Sequence, residues 1–302
     1  MPKRRRKRPA PGLLGWASLL LLILITFLGV FWFLRPLKEN SLSPLKRPTI
    51  YIPPLRYKKI PARKKSSPSS RASRAAAPRP SKPLAAIIID DMGLNPRIER
   101  RFFKLGLTLN FSFLPFNPYT KPLAREAHRL GFEVLVHIPL VSKNGTHPRG
   151  LITMNMGIRE VKRRVREDIL AVPYAIGANH HEGSWFTTDP RRTRWVLEEV
   201  KALGLFYVDS RTTPDTVVPK VARAIGLPYA ERRVFLDHTF DAASIKKEIN
   251  RFISRAKRTP TVAIGHPHEI TLKVLRQEKT RLLRELDLVP ISVFIERTRG
   301  KK

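Results

Sequence analysis

The chain lacks cysteine altogether, so neither a disulfide framework nor a thiolate metal site is open to it. An oxidising compartment is compatible with that absence and not required by it. Acidic residues are also scarce: 24 Asp and Glu face 58 Lys and Arg over 302 residues, a formal charge of +34. The deficit is steepest at the start, where Glu39 is the sole acid before Leu84 against 20 basic residues. A surface of that sign favours polyanions, among them nucleic acid, anionic lipid and envelope polymers. The chain has no aromatic-basic motif of a nucleic-acid module, so nucleic acid is disfavoured as a partner.

Charge of either sign is missing from Gly12 to Leu34, a run of 23 residues and long enough to cross a bilayer as a helix. The run ends in Phe31, Trp32 and Phe33 rather than in a small-residue cleavage site, which points to an uncleaved signal anchor. Six basic residues within 1–11 precede it. They favour a cytoplasmic N-terminus, a single pass through the inner membrane and a periplasmic remainder. Residues 35–83 are rich in Pro, Ser, Ala, Lys and Arg and have almost no hydrophobic period, the composition of an extended linker. Its charge suits anionic lipid headgroups or polymer, or serves spacing alone.

From Leu84 the pattern changes. Short apolar runs alternate with amphipathic helical stretches through residue 297, the mark of a parallel βα repeat. Strands are expected at 85–89, 107–113, 133–138, 175–178, 205–208, 233–236, 261–264 and 289–295. Helical patterns cover 122–130, 159–170, 190–203 and 242–255. Gly106, Gly131, Gly204 and Gly226 suit helix C-caps. The expected fold is α/β, a parallel repeat of seven or eight βα units, with residues 298–302 left as a basic tail.

The stretch Leu84 to Gly93, LAAIIIDDMG, reads as a strand buried on both faces that breaks off at adjacent carboxylates, Asp90 and Asp91. Chemically capable residues recur after the later strands: His137; Asn179, His180 and His181; Asp209 and Ser210; Asp237 and His238; His266 and His268. In a barrel of parallel strands these positions converge on one mouth. Six of the eight histidines belong to that set, and His128 and His147 fall outside it.

A carboxylate and two imidazoles from different strands form a three-ligand site with an open position, a pattern of hydrolytic zinc. The candidates are Asp91, His137 and His181, with zinc as the expected divalent metal. Asp90 suits a general base and His266 the acid for the leaving group. Asp209 could orient His266 or a ligand imidazole, while Asn179, His180, Ser210 and His268 are candidates for supporting or substrate contacts. Each has a plainer rival. One Asp of the doublet caps the next helix, His137 is a core histidine, and His268 is a helix cap. His180 and His181 face opposite ways along an extended chain, which leaves one of them to bind metal.

The segments IIIDDMG, GFEVLVHIPL, GANHHEGSWFT, YVDSRTT, RRVFLDH and AIGHPH, in that order, resemble the divergent polysaccharide deacetylases, relatives of the carbohydrate esterases. The resemblance spans Leu84 to Glu296. It implies a distorted barrel of seven or so βα units, Asp90 as base, Asp91 and His137 as metal ligands and His266 as the leaving-group acid. The superfamily's second histidine, four residues after the first, is Val141 here, and its Arg-containing substrate motif has no clear counterpart. Two functions follow as expectations. One is a membrane-anchored periplasmic hydrolase that removes an acetyl or acyl group from an envelope glycan. The other is an inactive protein of the same fold that binds a glycan or a partner.

Overall fold

The computed structural model describes residues 82–299. The expected N-terminal cluster, signal anchor, nearly all of the linker and the final lysines lie outside them. Among the described residues no helix is long and apolar enough to cross a membrane.

Seven parallel strands close a ring: β1 (Leu84–Met92), β2 (Leu109–Phe113), β3 (Glu133–Leu140), β4 (Ala175–Glu182), β5 (Phe206–Asp209), β6 (Tyr229–Phe235) and β7 (Thr261–Gly265). They pair in sequence order, and β1 completes the ring by pairing with both β2 and β7. A two-residue strand, β8 (Asp287–Leu288), pairs with Leu84 and Ala85, where β1 has no β2 partner. The helices between strands are α1 (Pro96–Phe103), α2 (Thr120–Arg129), α3 (Ile158–Ala171), α4 (Pro190–Ala202), α5 (Val218–Ile225), α6 (Ala242–Ala256) and α7 (Glu269–Glu285). Asn95, Asp189 and Asp241 start α1, α4 and α6 by accepting a first-turn N–H on the side chain, as N-caps do. The four glycines expected to close helices all adopt left-handed φ.

Alternation along β1 divides its side chains between two apolar layers. Ala85, Ile87 and Ile89 pack under the helices. Ala86 and Ile88 instead join Leu135, Phe206, Val208 and Ile264 in the barrel interior. This interior is fully packed, so chemistry is confined to the ends of the barrel.

The last expected strand is corrected. Residues 289–295 do not extend a strand; after Pro290 they enter α8 (Ile291–Thr298). Its buried residues Ile291, Phe294 and Ile295 follow helical spacing and close the N-terminal end of the barrel. A run of Ile, Ser, Val and Phe has strand propensity, but the interior needed a plug, and tertiary packing overrode the local preference. Elsewhere the expected elements have shifted ends. The consequential change is β4, which runs on through Asn179, His180 and His181.

Candidate active site at the C-terminal mouth of the barrel

The site begins where β1 loses its register. Pairing with β2 slips between Ile89 and Met92, and Asp91 takes φ of +54°, a left-handed conformation that costs a non-glycine residue about 1–2 kcal/mol. The irregularity turns two consecutive carboxylates toward one mouth, which a regular strand forbids. The following turn is fixed by Glu99, whose carboxylate accepts the N–H groups of Gly93 (2.7 Å), Leu94 (2.9 Å) and Asn95 (2.6 Å). Gly93 has φ of +109°, and a Cβ there would lie 2.4 Å from Thr120 Oγ1. Only glycine fits.

A second irregularity aligns β4. Val134 and Leu135 are consecutive on β3 but pair with Ala175 and Gly177. The extra residue shifts the phase, so that Asn179 and His181 reach the residues of the mouth while His180 turns to Tyr207. Gly177 makes room for the Phe206 ring, 2.2 Å from where its Cβ would stand.

Asn179 is the hub of the polar network. Its amide nitrogen donates to both Asp90 oxygens, at 2.8 and 3.0 Å. Its carbonyl accepts Ser112 Oγ at 2.6 Å and His137 Nδ1 at 2.7 Å. That bond assigns the proton to His137 Nδ1 and leaves Nε2 as an electron-pair donor. Nε2 lies 3.2 Å from Asp91 Oδ1, and His181 Nδ1 lies 2.8 Å from the same oxygen. Asp91, His137 and His181 thus each offer one ligand atom, all within 4.8 Å of one another. One hard oxygen and two imidazole nitrogens, with one tautomer already fixed, suit a divalent ion such as zinc.

Val141, where the superfamily pattern has its second histidine, packs against the hydrophobic core. The second imidazole comes from the neighbouring strand instead. His181 stands in register with Pro139, two residues beyond His137.

On the other flank His266 follows β7. Its Nδ1 is 2.9 Å from Asp237 Oδ1 and its backbone N–H donates to Asp237 Oδ2 at 2.7 Å, an oxygen that also accepts Thr271 Oγ1. His266 Nε2 points back to Asp91 Oδ2, 3.9 Å away. The residue that orients His266 is therefore Asp237, not Asp209. Asp209 accepts Arg211 N–H and Thr216 Oγ1 and stands 3.7 Å from His180 Nε2. Ser210 Oγ accepts the His180 N–H at 3.3 Å. His268 is exposed at the start of α7, caps nothing with its side chain and packs edge-on to Phe240.

One residue escaped the sequence reading. Arg232 on β6 donates to the carbonyls of Ser210 (2.5 Å) and Arg211 (2.6 Å), lies over the Phe235 ring and lines the same cleft. One arginine among 58 basic residues carries no signal until topology selects it. Glu182 ends β4 with φ of +55° and accepts Thr146 N–H and Oγ1, tying the 141–157 loop to the mouth.

The electrostatics separate the two carboxylates. Burial dominates at Asp90 and pushes its carboxyl up, against His137, His266 and the Asn179 hydrogen bond. Burial opposes ionisation of Asp91 too, but the neighbouring His137 and His181 rings hold it far below the usual range. Burial alone would neutralise His266; Asp237, with help from Asp91 and Asp90, raises it to about 9. His180 is driven down to about 3 by burial, then by His137, Arg232 and His181. The result is an ionised ligand carboxylate, a second carboxylate with raised proton affinity and a protonated imidazole around a cleft of about 340 Å³, a division of roles suited to acid–base chemistry.

A parallel βα barrel with paired carboxylates and convergent imidazoles at its C-terminal mouth defines a class, the barrel proteins that carry their candidate site at the strand ends. The model of the divergent polysaccharide deacetylases matches residues 87–295, and the chain belongs to that family. Among its relatives, Uncharacterized protein YibQ of Escherichia coli K12 is 34% identical over 213 residues, 70% of this chain and 66% of that protein. An uncharacterized protein of Haemophilus influenzae is 30% identical over 206 residues, 68% of this chain and 74% of its own. The chain thus spans about two thirds of the E. coli relative. The crystal structure of the uncharacterized protein ATU2773 from Agrobacterium tumefaciens C58 shares the fold, with a TM-score of 0.67 at 18% identity over 73% of this chain and 92% of that one.

Proposed function

We propose that the protein is a metal-dependent hydrolase that removes an acetyl or related acyl group from an envelope carbohydrate. The observation that carries this reading is the sharing of one Asp91 oxygen by His137 Nε2 and His181 Nδ1, flanked by Asp90 and by the His266–Asp237 pair. Asp91, His137 and His181 would hold the ion, with zinc favoured by the imidazole donors. The chemistry it supplies when bound is Lewis acidity, which polarises an acyl carbonyl and acidifies water.

The chain's own residues do the rest. Asp90, held by the Asn179 amide with its proton affinity raised, takes the proton from the attacking water. His266, kept protonated by Asp237, gives a proton to the departing sugar nitrogen or oxygen. Arg232, fixed by two backbone carbonyls, adds positive charge beside the developing oxyanion. Membership of the family supports a carbohydrate substrate. The charge-free run 12–34 and the basic residues before it support an inner-membrane anchor with the barrel in the periplasm, and the basic linker suits anionic lipid or polymer.

Acetate release from acetylated glycans by the full-length protein tests the reading. The expected result is turnover that Asp90→Asn abolishes. A second reading is favoured by Val141: a protein that keeps the fold and the metal but only binds glycan or a partner. Stoichiometric metal without acetate release, together with a cellular role that survives Asp90→Asn, establishes the second and overturns the first.

A further inference from the structure

We propose that the N-terminal end of the barrel is a docking face for an anionic phospholipid bilayer, so that the mouth with Asp91 points away from the membrane. This builds on the membrane-anchor reading above and not on the chemistry of the mouth. All seven strands of the ring run from this end to the mouth, and Leu84 begins β1 here. The chain that carries the charge-free run 12–34 therefore joins the barrel at this end.

The charge of this end has the right sign. Each helix that connects two strands runs back from the mouth, so the helix C-termini gather here and bring Lys104, Arg129, Lys201, Arg223 and Arg258 to the surface; α8 adds Arg299. The side chains of Lys104, Arg129, Arg258 and Arg299 have no hydrogen-bond or ion-pair partner among the described residues. Lys201 and Arg223 bond neutral groups, the Ile225 carbonyl and the Tyr229 hydroxyl. Of the nearby acids, Glu285 pairs with Lys257 and Arg281 and Asp287 with Arg297, while Glu296 is exposed. Cations in the last turns of helices are ordinary, since they complement the helix dipole. The apolar residues exposed among them are not.

Leu130, Leu170 and Tyr174 are 56%, 50% and 52% exposed. They stand where α2 and α3 lead into β3 and β4, strands that pair side by side. The Tyr174 ring stacks on His128 with centroids 4.1 Å apart, so the residues form one apolar ledge beside Arg129. Across the ring, a recess of about 530 Å³ opens between α8 and the starts of β6 and β7. Arg223, Arg233 and Arg299 line it together with the buried Leu227, Phe294 and Ile295. Arg233 lies 3.5 Å from Glu231, an acid that Arg211 also holds. Guanidinium forks match a lipid phosphate, and the apolar walls suit the glycerol and first methylenes behind it. Cations drawn to headgroups, with Leu and Tyr entering the interface, are the two features of binding to an anionic lipid surface. A nucleic acid would use the charge and leave the ledge uncovered.

Because the chain has no cysteine, one introduced thiol carries one fluorophore in the full-length protein, at this end in Thr259→Cys or beside the mouth in Asn144→Cys. The labelled proteins are reconstituted in vesicles of phosphatidylglycerol and phosphatidylethanolamine that contain a lipid with a nitroxide headgroup, which quenches nearby dye. Quenching of the Thr259→Cys label is expected to exceed that of the Asn144→Cys label by about threefold or more. The excess should fall by about half or more in phosphatidylcholine vesicles, and likewise when Arg258→Glu and Arg299→Glu are combined, because both remove the charge attraction. Equal quenching at the two positions, stronger quenching beside the mouth, or an excess untouched by lipid charge overturns the docking face. An excess shown by protein that alkaline carbonate strips from the vesicles keeps the docking face and sinks the anchor reading. Carbonate-resistant protein without the excess does the opposite.

Discussion

The two ends of the barrel both bury carboxylates, and they treat them differently. At the N-terminal end Glu133 is buried, and its oxygens accept Ser292 N–H and Oγ from the first turn of α8. Nearby, Asn110 Oδ1 accepts Ile291 N–H and its amide donates to Ile87 O. The donors to the carboxylate are a backbone N–H and a hydroxyl, and the bonds fasten the plug helix to the strands. At the C-terminal end Asp90 is held by a side-chain amide and faces imidazoles. Three of the five left-handed non-glycine residues, Asp91, Glu182 and Arg211, crowd this end. A buried carboxylate by itself therefore says little about chemistry. What distinguishes a site is which groups surround it and whether backbone strain is spent to bring them there. A recess of about 530 Å³ between Tyr229 and Phe294, away from the mouth and larger than the cleft, brings together no imidazole, and size alone does not locate the site either.

Substitutions at the two ends should separate these roles. Asp90→Asn is expected to cut acetate release by about a thousandfold, the loss of a general base, while urea unfolding stays within ~1 kcal/mol of wild type. Glu133→Ala should do the reverse. Losing the two hydrogen bonds that Ser292 gives the Glu133 carboxylate costs about 1–3 kcal/mol in the same titration, with metal content unchanged.

A finer effect lies at Asp237. In the proposed mechanism His266 is the acid, and on that reading activity is present below its folded value and is lost as pH rises through about 9. Removing the carboxylate charge in Asp237→Asn lowers that value, so the alkaline limb of the rate profile moves to lower pH and peak turnover drops about ten- to a hundredfold. An unshifted limb would show that His266 is not the acid.

The smallest effect belongs to Asp168, buried on α3 with neither carboxylate oxygen hydrogen-bonded among the described residues. Burial raises its carboxyl well above the ordinary 3.8, against the pull of Arg164. The folded state then holds the proton more tightly than the unfolded one. The stability this gives is fully present below 3.8 and is lost as pH rises through the folded value. Asp168→Asn should accordingly gain about 1 kcal/mol at pH 7 and flatten the dependence above pH 4, as read by thermal melts at several pH values.

Much of this was legible in the chain. The βα alternation fixed the barrel class, and the convergence of strand ends picked out the Asp doublet, His137, His181 and His266, because every strand points the same way. Three features were not legible, for physical reasons. The register slips on β1 and against β4, which let Asp90 and Asp91 face one mouth and Asn179 and His181 share a phase, arise from pairing across the sheet. The choice of Asp237 over Asp209 depends on how the β6–α6 turn meets β7. Residues 289–295 have the composition of a strand, and only the open end of the barrel makes them a helix.

The central claim is that Asp91, His137 and His181 form one metal site. Elemental analysis of the purified full-length protein, with Asp91→Ala, His137→Ala and His181→Ala measured separately, addresses it directly. The account predicts near-stoichiometric divalent metal in the wild type and its loss in all three variants. A folded wild type that takes up no metal even after zinc is added would contradict it.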